Sequence, residues 1–151
     1  MTEVFEKRFE AGWRDVDLNG HLANTAYLDM SATTRIAYFE FRGFPAMDFQ
    51  KYGFGPVIKT DFVEYFREIR LMEKFKITME NGGLAPDASR FRIVNAIYKE
   101  DETLSARVVT LGGWLSFSER KLIEPPGILK DAMHDLRRTE DFEELRSTIK
   151  K

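Results

Sequence analysis

The chain has 151 residues, 43% apolar and 32% charged, with a net charge of −2, no cysteine and two histidines, His21 and His134. That is the length and composition of one globular domain, and it excludes disulfide scaffolds, thiol nucleophiles and cysteine-ligated zinc or iron–sulfur centres. The balance of charge argues against a general nucleic-acid binder, and two histidines argue against a multi-histidine metal site.

The charged start, Met-Thr-Glu-Val-Phe-Glu-Lys-Arg, has no apolar core of a signal peptide. No stretch approaches the ~20 apolar residues of a membrane span. The expectation is a cytoplasmic protein with no membrane contact. Residues before about 13 read as a first strand, with Phe5, Arg8, Phe9 and Trp13 in rough alternation. A turn rich in Asp, Asn and Gly follows at Arg14–Gly20. A helix is expected from Asn24 to Arg42, with Asn24 as N-cap and Gly43 and Pro45 as its stop. Its apolar residues (Ala26, Tyr27, Met30, Ile36, Ala37, Phe39, Phe41) spread so widely that burial on most sides is predicted.

From Gly55 to Phe117 the period changes to two, giving four strands. Asn81-Gly82-Gly83 and Glu100-Asp101-Glu102 read as the turns of antiparallel hairpins. Gly112-Gly113-Trp114-Leu115 suggests close packing or a kink in the sheet. Beyond Pro125-Pro126 the tail reads as one or two short helices. Ile128, Leu129, Met133 and Leu136 mark the first; Thr139 is the expected cap of a second carrying Phe142, Leu145 and Ile149. The order predicts an α+β domain over residues 1–126 and a helical extension over 127–151. Five mainly antiparallel strands wrap one long helix, and the uncovered face of the sheet implies a partner subunit.

Unusual chemistry concentrates between Trp13 and Tyr27: two acids, a histidine, a glycine turn and a helix start. A helix N-terminus presents unpaired N–H groups that polarise a carbonyl or stabilise an oxyanion. An Asp just before it is placed to act as a nucleophile or as a general base on water. The same residues are also ordinary turn and capping chemistry. The residues alone leave both readings open.

Asp15, Asp17, Gly20, His21, Asn24, Tyr27, Leu28 and Arg35 fall in register on a pattern Asp-x-Asp-x-x-Gly-His-x-Asn-Asn-x-x-Tyr-Leu followed by a helical Arg. Gly55-Pro56-Val57 continues the likeness, as does Ser89-Arg90-Phe91. The passage Glu64 to Glu73 is similar to Tyr-x-Arg-Pro-x-x-x-Gly-Asp. In these segments the chain resembles the 4-hydroxybenzoyl-CoA thioesterase branch of the hotdog-fold superfamily, as far as Pro126. Ala23 departs from the pattern's first Asn, Ala32 and Thr33 from acids on the helix, and Met72-Glu73 from Gly-Asp.

The resemblance implies a hotdog fold and hydrolysis of an acyl-CoA thioester by a homodimer or homotetramer. Coenzyme A is then part of the substrate, with acyl carrier protein the alternative carrier, and no metal or organic cofactor is needed. It implies Asp17 as the catalytic carboxylate, nucleophile or base. Asn24 supplies the polarising backbone N–H, and His21 orients water or helps the thiolate leave. Tyr27 lines the acyl pocket, and Ser89 and Arg90, with Arg92, meet the phosphates or pantetheine arm. Asp15 is read as structural. An acyl-CoA hydratase is the weaker alternative, because its signature sets acid and His five apart, whereas Asp17 and Asp15 stand four and six residues from His21. A non-catalytic acyl-CoA binding protein of the same fold is the other, motivated by the missing helix acids.

Overall fold

A computed structural model describes residues 3–149. Strand β1 (Phe5–Glu10) leads through a short 3-10 turn (Trp13–Asp15) into α1 (Asn24–Phe41) and α2 (Ala46–Tyr52). Strands β2 (Phe54–Tyr65), β3 (Lys74–Leu84), β4 (Arg90–Lys99) and β5 (Leu104–Ser116) follow. The chain closes with β6 (Leu122–Ile123), α3 (Gly127–Asp135) and β7 (Arg138–Glu144). The sheet has seven strands in the order β1-β3-β4-β5-β2, with β6 beside β5 and β7 beside β3. The five expected strands are all present and antiparallel; β6 and β7 are additions, and β7 runs parallel to β3. α1 lies against β1, β3 and β5 on one face. This is the hotdog arrangement.

The cap of α1 is Ala23, not Asn24, which is the first helical residue. The helix ends as expected. Gly43 adopts a left-handed φ of 92°. Its N–H reaches the Glu40 carbonyl and the Phe44 N–H the Phe39 carbonyl, which is a Schellman stop. The expectation of burial on most sides is corrected. Ala26, Tyr27, Ser31, Thr34, Tyr38 and Phe39 form one buried stripe, while Ile36 and Phe41 are 45% and 65% exposed. Polar Ser31 and Thr34 share the sheet-facing side with Ala26, Tyr27 and Phe39, Met30 and Ala37 are half-buried, and of the expected apolar set Ile36 and Phe41 are the exposed members in the single chain.

Trp114 organises the larger core cluster. Its ring centroid lies 5.7 Å from Phe39, 5.5 Å from Phe91, 6.1 Å from Phe54 and 6.2 Å from Phe49. Its indole N–H donates to the Ala88 carbonyl at 2.9 Å. Phe49 comes from α2, a helix the sequence reading did not find. That helix has seven residues, only Phe49 buried, and no side-chain cap at its start, although Gly53 closes it in the left-handed conformation at φ 74°. Gly112 lets β5 approach β2 and β4 closely, since a Cβ there would sit 2.8 Å from the Phe91 ring and against the Val57 carbonyl. Gly112→Ala is expected to cost about 2 kcal/mol from overpacking, read as a lower urea midpoint with an unchanged slope.

Two expectations fail here. Asn81-Gly82-Gly83 is not a turn but the bulged interior of β3. Asn81 is buried, its amide donating to the Met133 carbonyl at 3.0 Å and its side-chain oxygen accepting from Gly83 N at 3.2 Å. Glycine is required because a Cβ on Gly82 would lie 2.9 Å from the Val94 methyl. The reversal falls at residues 85–89, where Ala85 N bonds the Arg90 carbonyl and Ala88 takes a φ of 62°.

The second failure is the tail. Its first helix is α3, which buries Leu129, Ala132 and Met133 in the same cluster as Trp114, with Leu136 just beyond it. The second expected helix is instead strand β7, and Thr139 caps nothing; its hydroxyl donates to Asp141 at 2.7 Å. The cause is an open sheet edge. β1 pairs β3 only as far as Met79, and β7 takes the free backbone from Asn81 to Leu84. Paired backbone outweighs the local preference of a short surface helix. No helix among the described residues is long and apolar enough to cross a membrane.

Candidate active site

Two loops build the site. The segment after β1 and the segment after β2 are laced together by backbone bonds. Ala11 N bonds the Glu73 carbonyl at 2.9 Å, Leu22 N the Ile69 carbonyl at 2.6 Å, and Leu71 N the Gly20 carbonyl at 3.0 Å. Ile69 is fully buried and anchors the pair. Asp15 faces its own turn. Its carboxylate accepts from Gly12 N at 2.9 Å and its carbonyl from Ala23 N at 2.8 Å, so its work is structural.

Asp17 sits at the turn's tip. One carboxylate oxygen accepts the amides of Asn19 at 2.9 Å and His21 at 3.2 Å. Gly20 supplies the left-handed residue the turn needs, at φ 74°. The other oxygen of Asp17 has no partner among the described residues. The turn delivers the chain into α1, whose first amides, at Asn24 and Thr25, precede the helical ladder and have no acceptor among the described residues.

Tyr27 is buried on the first turn of α1, its ring edge-on to Tyr65 at 5.2 Å. Its hydroxyl meets Ser105 Oγ at 3.3 Å, and Ser105 in turn donates to the Arg67 carbonyl at 2.7 Å. Burial raises the Tyr27 pKa against the lowering effect of the Ser105 bond. It therefore serves as a neutral phenol. Asp17, His21, Asn24 and Tyr27 line one cavity of about 510 Å³ with Tyr65 to Glu68 from the end of β2.

Ser89 and Arg90 lie apart from it within the chain. Ser89 is fully buried; its N–H donates to Asp87 at 3.0 Å and its Oγ accepts from Thr148 N at 2.9 Å, clamping the C-terminal segment. Arg90 lines a second cavity of about 860 Å³ with Lys59, Arg92, Leu111 and Gly113. Leu111 and Gly113 alternate with Thr110 and Trp114, which face α1, so this cavity is on the opposite face of the sheet. Arg92 donates to the Gly82 carbonyl at 3.1 Å and stands 3.9 Å from Asp141, whereas Arg90 and Lys59 have no ion-pair partner among the described residues.

Arg35, in register with the resembled pattern, points at the sheet rather than at the Asp17 cavity. It donates to Asn95 at 3.0 Å, and Thr110 beside it donates to Asp61 at 2.6 Å. Burial pulls its pKa down and Asp61 opposes this. The sequence reading missed Tyr65, Arg67 and Glu68 as cavity residues. Only the alternation of β2 pointed at Tyr65. Arg67-Glu68-Ile69-Arg70 reads as a solvated loop. Among the described residues no three Asp, Glu or His side chains gather at metal-binding distance.

Fold and site together define a hotdog protein with an acid–histidine turn at a helix start. The sequence matches the thioesterase-like superfamily over residues 11–136, and the chain belongs to that family. Solved structures share its fold at low identity. A Staphylococcus aureus protein solved in complex with CoA is 14% identical, with a TM-score of 0.82 over 92% of this chain and 89% of its own. A 1,4-dihydroxy-2-naphthoyl-CoA thioesterase from Synechocystis is 18% identical, with a TM-score of 0.80 over 89% and 98%. A DHNA-CoA thioesterase from Staphylococcus aureus is 21% identical, with a TM-score of 0.74 over 80% of each chain. No match is found among curated proteins.

Proposed function

We propose that the protein is a cytoplasmic acyl-CoA thioesterase. The observation that carries this reading is the convergence of a half-free Asp17 carboxylate, His21 and Asn24, the first residue of α1, on one cavity. Asp17 takes a proton from water, and the water oxygen bonds to the thioester carbonyl carbon. The carbonyl oxygen becomes an oxyanion beside the free amide of Asn24 at the start of α1. The intermediate then collapses, the C–S bond breaks, and the electron pair leaves with sulfur. The CoA thiolate takes its proton from Asp17 or His21. No metal or organic cofactor enters the reaction. Direct attack by Asp17 would instead form an anhydride that water opens. A single turnover in ¹⁸O-water tests this: with water as the nucleophile all label enters the product acid and none enters Asp17, whereas label on Asp17 marks an anhydride that water opens at the Asp17 carboxyl carbon.

We assign Arg90 and Lys59 to the phosphate end of the substrate, reached from a second copy. β2 is the last strand in the sheet order, and Ile58, Phe62 and Tyr65 are exposed along it. Antiparallel pairing of β2 with its copy would set the Val57–Lys59 end of one chain beside the Tyr65 end of the other. One protomer's Arg90 cavity then adjoins the other's Asp17 cavity. In this homodimer Ser89 holds the loop that carries Arg90. Phe62→Glu is expected to give monomers in light scattering and to lower thiol release at least about tenfold, from unpaired charge at a strand pair.

Thiol release from a panel of short, long, aromatic and charged acyl-CoAs tests the function. Turnover of one of them is the expected result. Binding without release from any would replace the enzyme by an acyl-CoA binding protein.

A further inference from the structure

Glu68 is unused by the mechanism above, yet it lines the same cavity as Asp17 and His21. It stands where the Tyr-x-Arg-Pro passage carries Pro, so this chain has an ionisable group at a place the pattern leaves without one. Its backbone is held on both sides. The Glu68 carbonyl accepts from Lys99 Nζ at 3.0 Å, the Arg67 carbonyl from Ser105 at 2.7 Å, and the Ile69 carbonyl from Leu22 N at 2.6 Å. Its carboxylate oxygen Oε1 lies 3.7 Å from His21 Nε2 and 3.4 Å from Arg70 Nη2. His21 and Arg70 are themselves bridged antiparallel through the backbone. The His21 amide is meanwhile bonded to the Asp17 carboxylate at 3.2 Å.

We propose that Glu68 is a positioning residue: its carboxylate, paired with Arg70, holds the His21 imidazole through Nε2 and fixes which ring nitrogen is free to serve the reaction. The inference rests on the thioesterase reading of this cavity. A proton on Nε2 facing Glu68 leaves Nδ1 as the nitrogen that meets water or the leaving group. The 3.7 Å separation is ion-pair range, a few tenths beyond a hydrogen bond. Side-chain contacts of this kind commonly tighten when substrate binds and water leaves. A half-exposed pair contributes little to stability, so its effect falls on orientation. Arg70 matters to the same end, because it draws Glu68 toward the histidine's side of the cavity.

Two measurements test it. The first needs no substrate. In ¹⁵N-labelled protein near pH 8.5, ring correlations of His21 report the tautomer, with His134→Gln removing the other histidine. A bare Nδ1 and a proton-bearing Nε2 are expected in wild type and Glu68→Asp, and nitrogens averaged between tautomers in Glu68→Ala. Identical ring signals in wild type and Glu68→Ala would overturn the proposal. The second uses whichever acyl-CoA the panel shows to be turned over. Glu68→Ala should lower kcat about tenfold, a fraction of the ~10²-fold or more contributed by an acid–base group itself. KM should hold, and Glu68→Asp should recover most of the loss. In a His21→Ala background the same change should cost nothing further. An equal loss in both backgrounds would mean that Glu68 acts on water directly, which also overturns the proposal. If no acyl-CoA is hydrolysed, the thioesterase reading falls while the ring signals still decide the pairing.

Discussion

Asp17→Asn is expected to lower kcat for thioester hydrolysis by about 10³-fold with the fold intact. The amide keeps an oxygen that can accept from Asn19 and His21, the two backbone bonds the carboxylate makes. It loses the basic oxygen that stands free in the cavity. Structure and chemistry therefore separate at this residue, which is rarely so for a turn aspartate. Thermal melting should shift by no more than about 2 °C, while thiol release collapses. Asp15→Asn is the control, because Asp15 bonds only the backbone of its own turn; that variant should keep most of the rate. A rate that survives Asp17→Asn would remove Asp17 from the chemistry and turn attention to Glu68, the other carboxylate in the cavity.

Trp114→Ala should produce the largest loss of stability, about 4 kcal/mol. Native domains hold only ~5–15 kcal/mol in reserve, so most of the molecules approach their unfolding threshold. The expected fall in Tm is roughly 10 °C. The indole is fully buried, touches rings from α1, α2, β2 and β4, and satisfies the Ala88 carbonyl. Trp114→Phe keeps much of the packing but leaves that carbonyl unpaired, and should cost about 2 kcal/mol. Fluorescence checks both variants cleanly. Trp13 is 81% exposed, so the blue-shifted part of the emission belongs to Trp114 and should vanish in either substitution.

Much of this architecture was legible where one physical signal acted alone. Period-two alternation marked β2 to β5, and Gly43 with Pro45 marked the end of α1. Failures came where two signals competed. Asn81-Gly82-Gly83 carries turn chemistry, yet steric demand against Val94 on β4 set those glycines inside a strand. Arg138 to Glu144 has few β-formers, yet an unfilled sheet edge recruited it. α2 was too short and too exposed to leave a pattern. In the site, Asp17, His21, Asn24 and Tyr27 were named from one contiguous segment and converge on one cavity. Glu68 was not, since it arrives through a loop some fifty residues downstream and only Ile69 beside it is buried. The capping expectation for Asn24 failed because Ala23 occupies the cap, so the carbonyl-polarising role proposed for Asn24 rests on its backbone N–H and not on its side chain.

The outer edge of β3 is filled by two segments far apart in the sequence: β1 takes residues 74–79 and β7 takes Asn81 to Leu84. A nascent polypeptide therefore cannot finish this sheet until residues 138–144 have been made. Until then a row of strand backbone next to the Trp114 cluster is exposed, and such a row templates pairing with other chains. Closing that edge with β7 therefore removes a template for aggregation, and the same strand brings Asp141 and Glu143 to the wall of the Arg90 cavity.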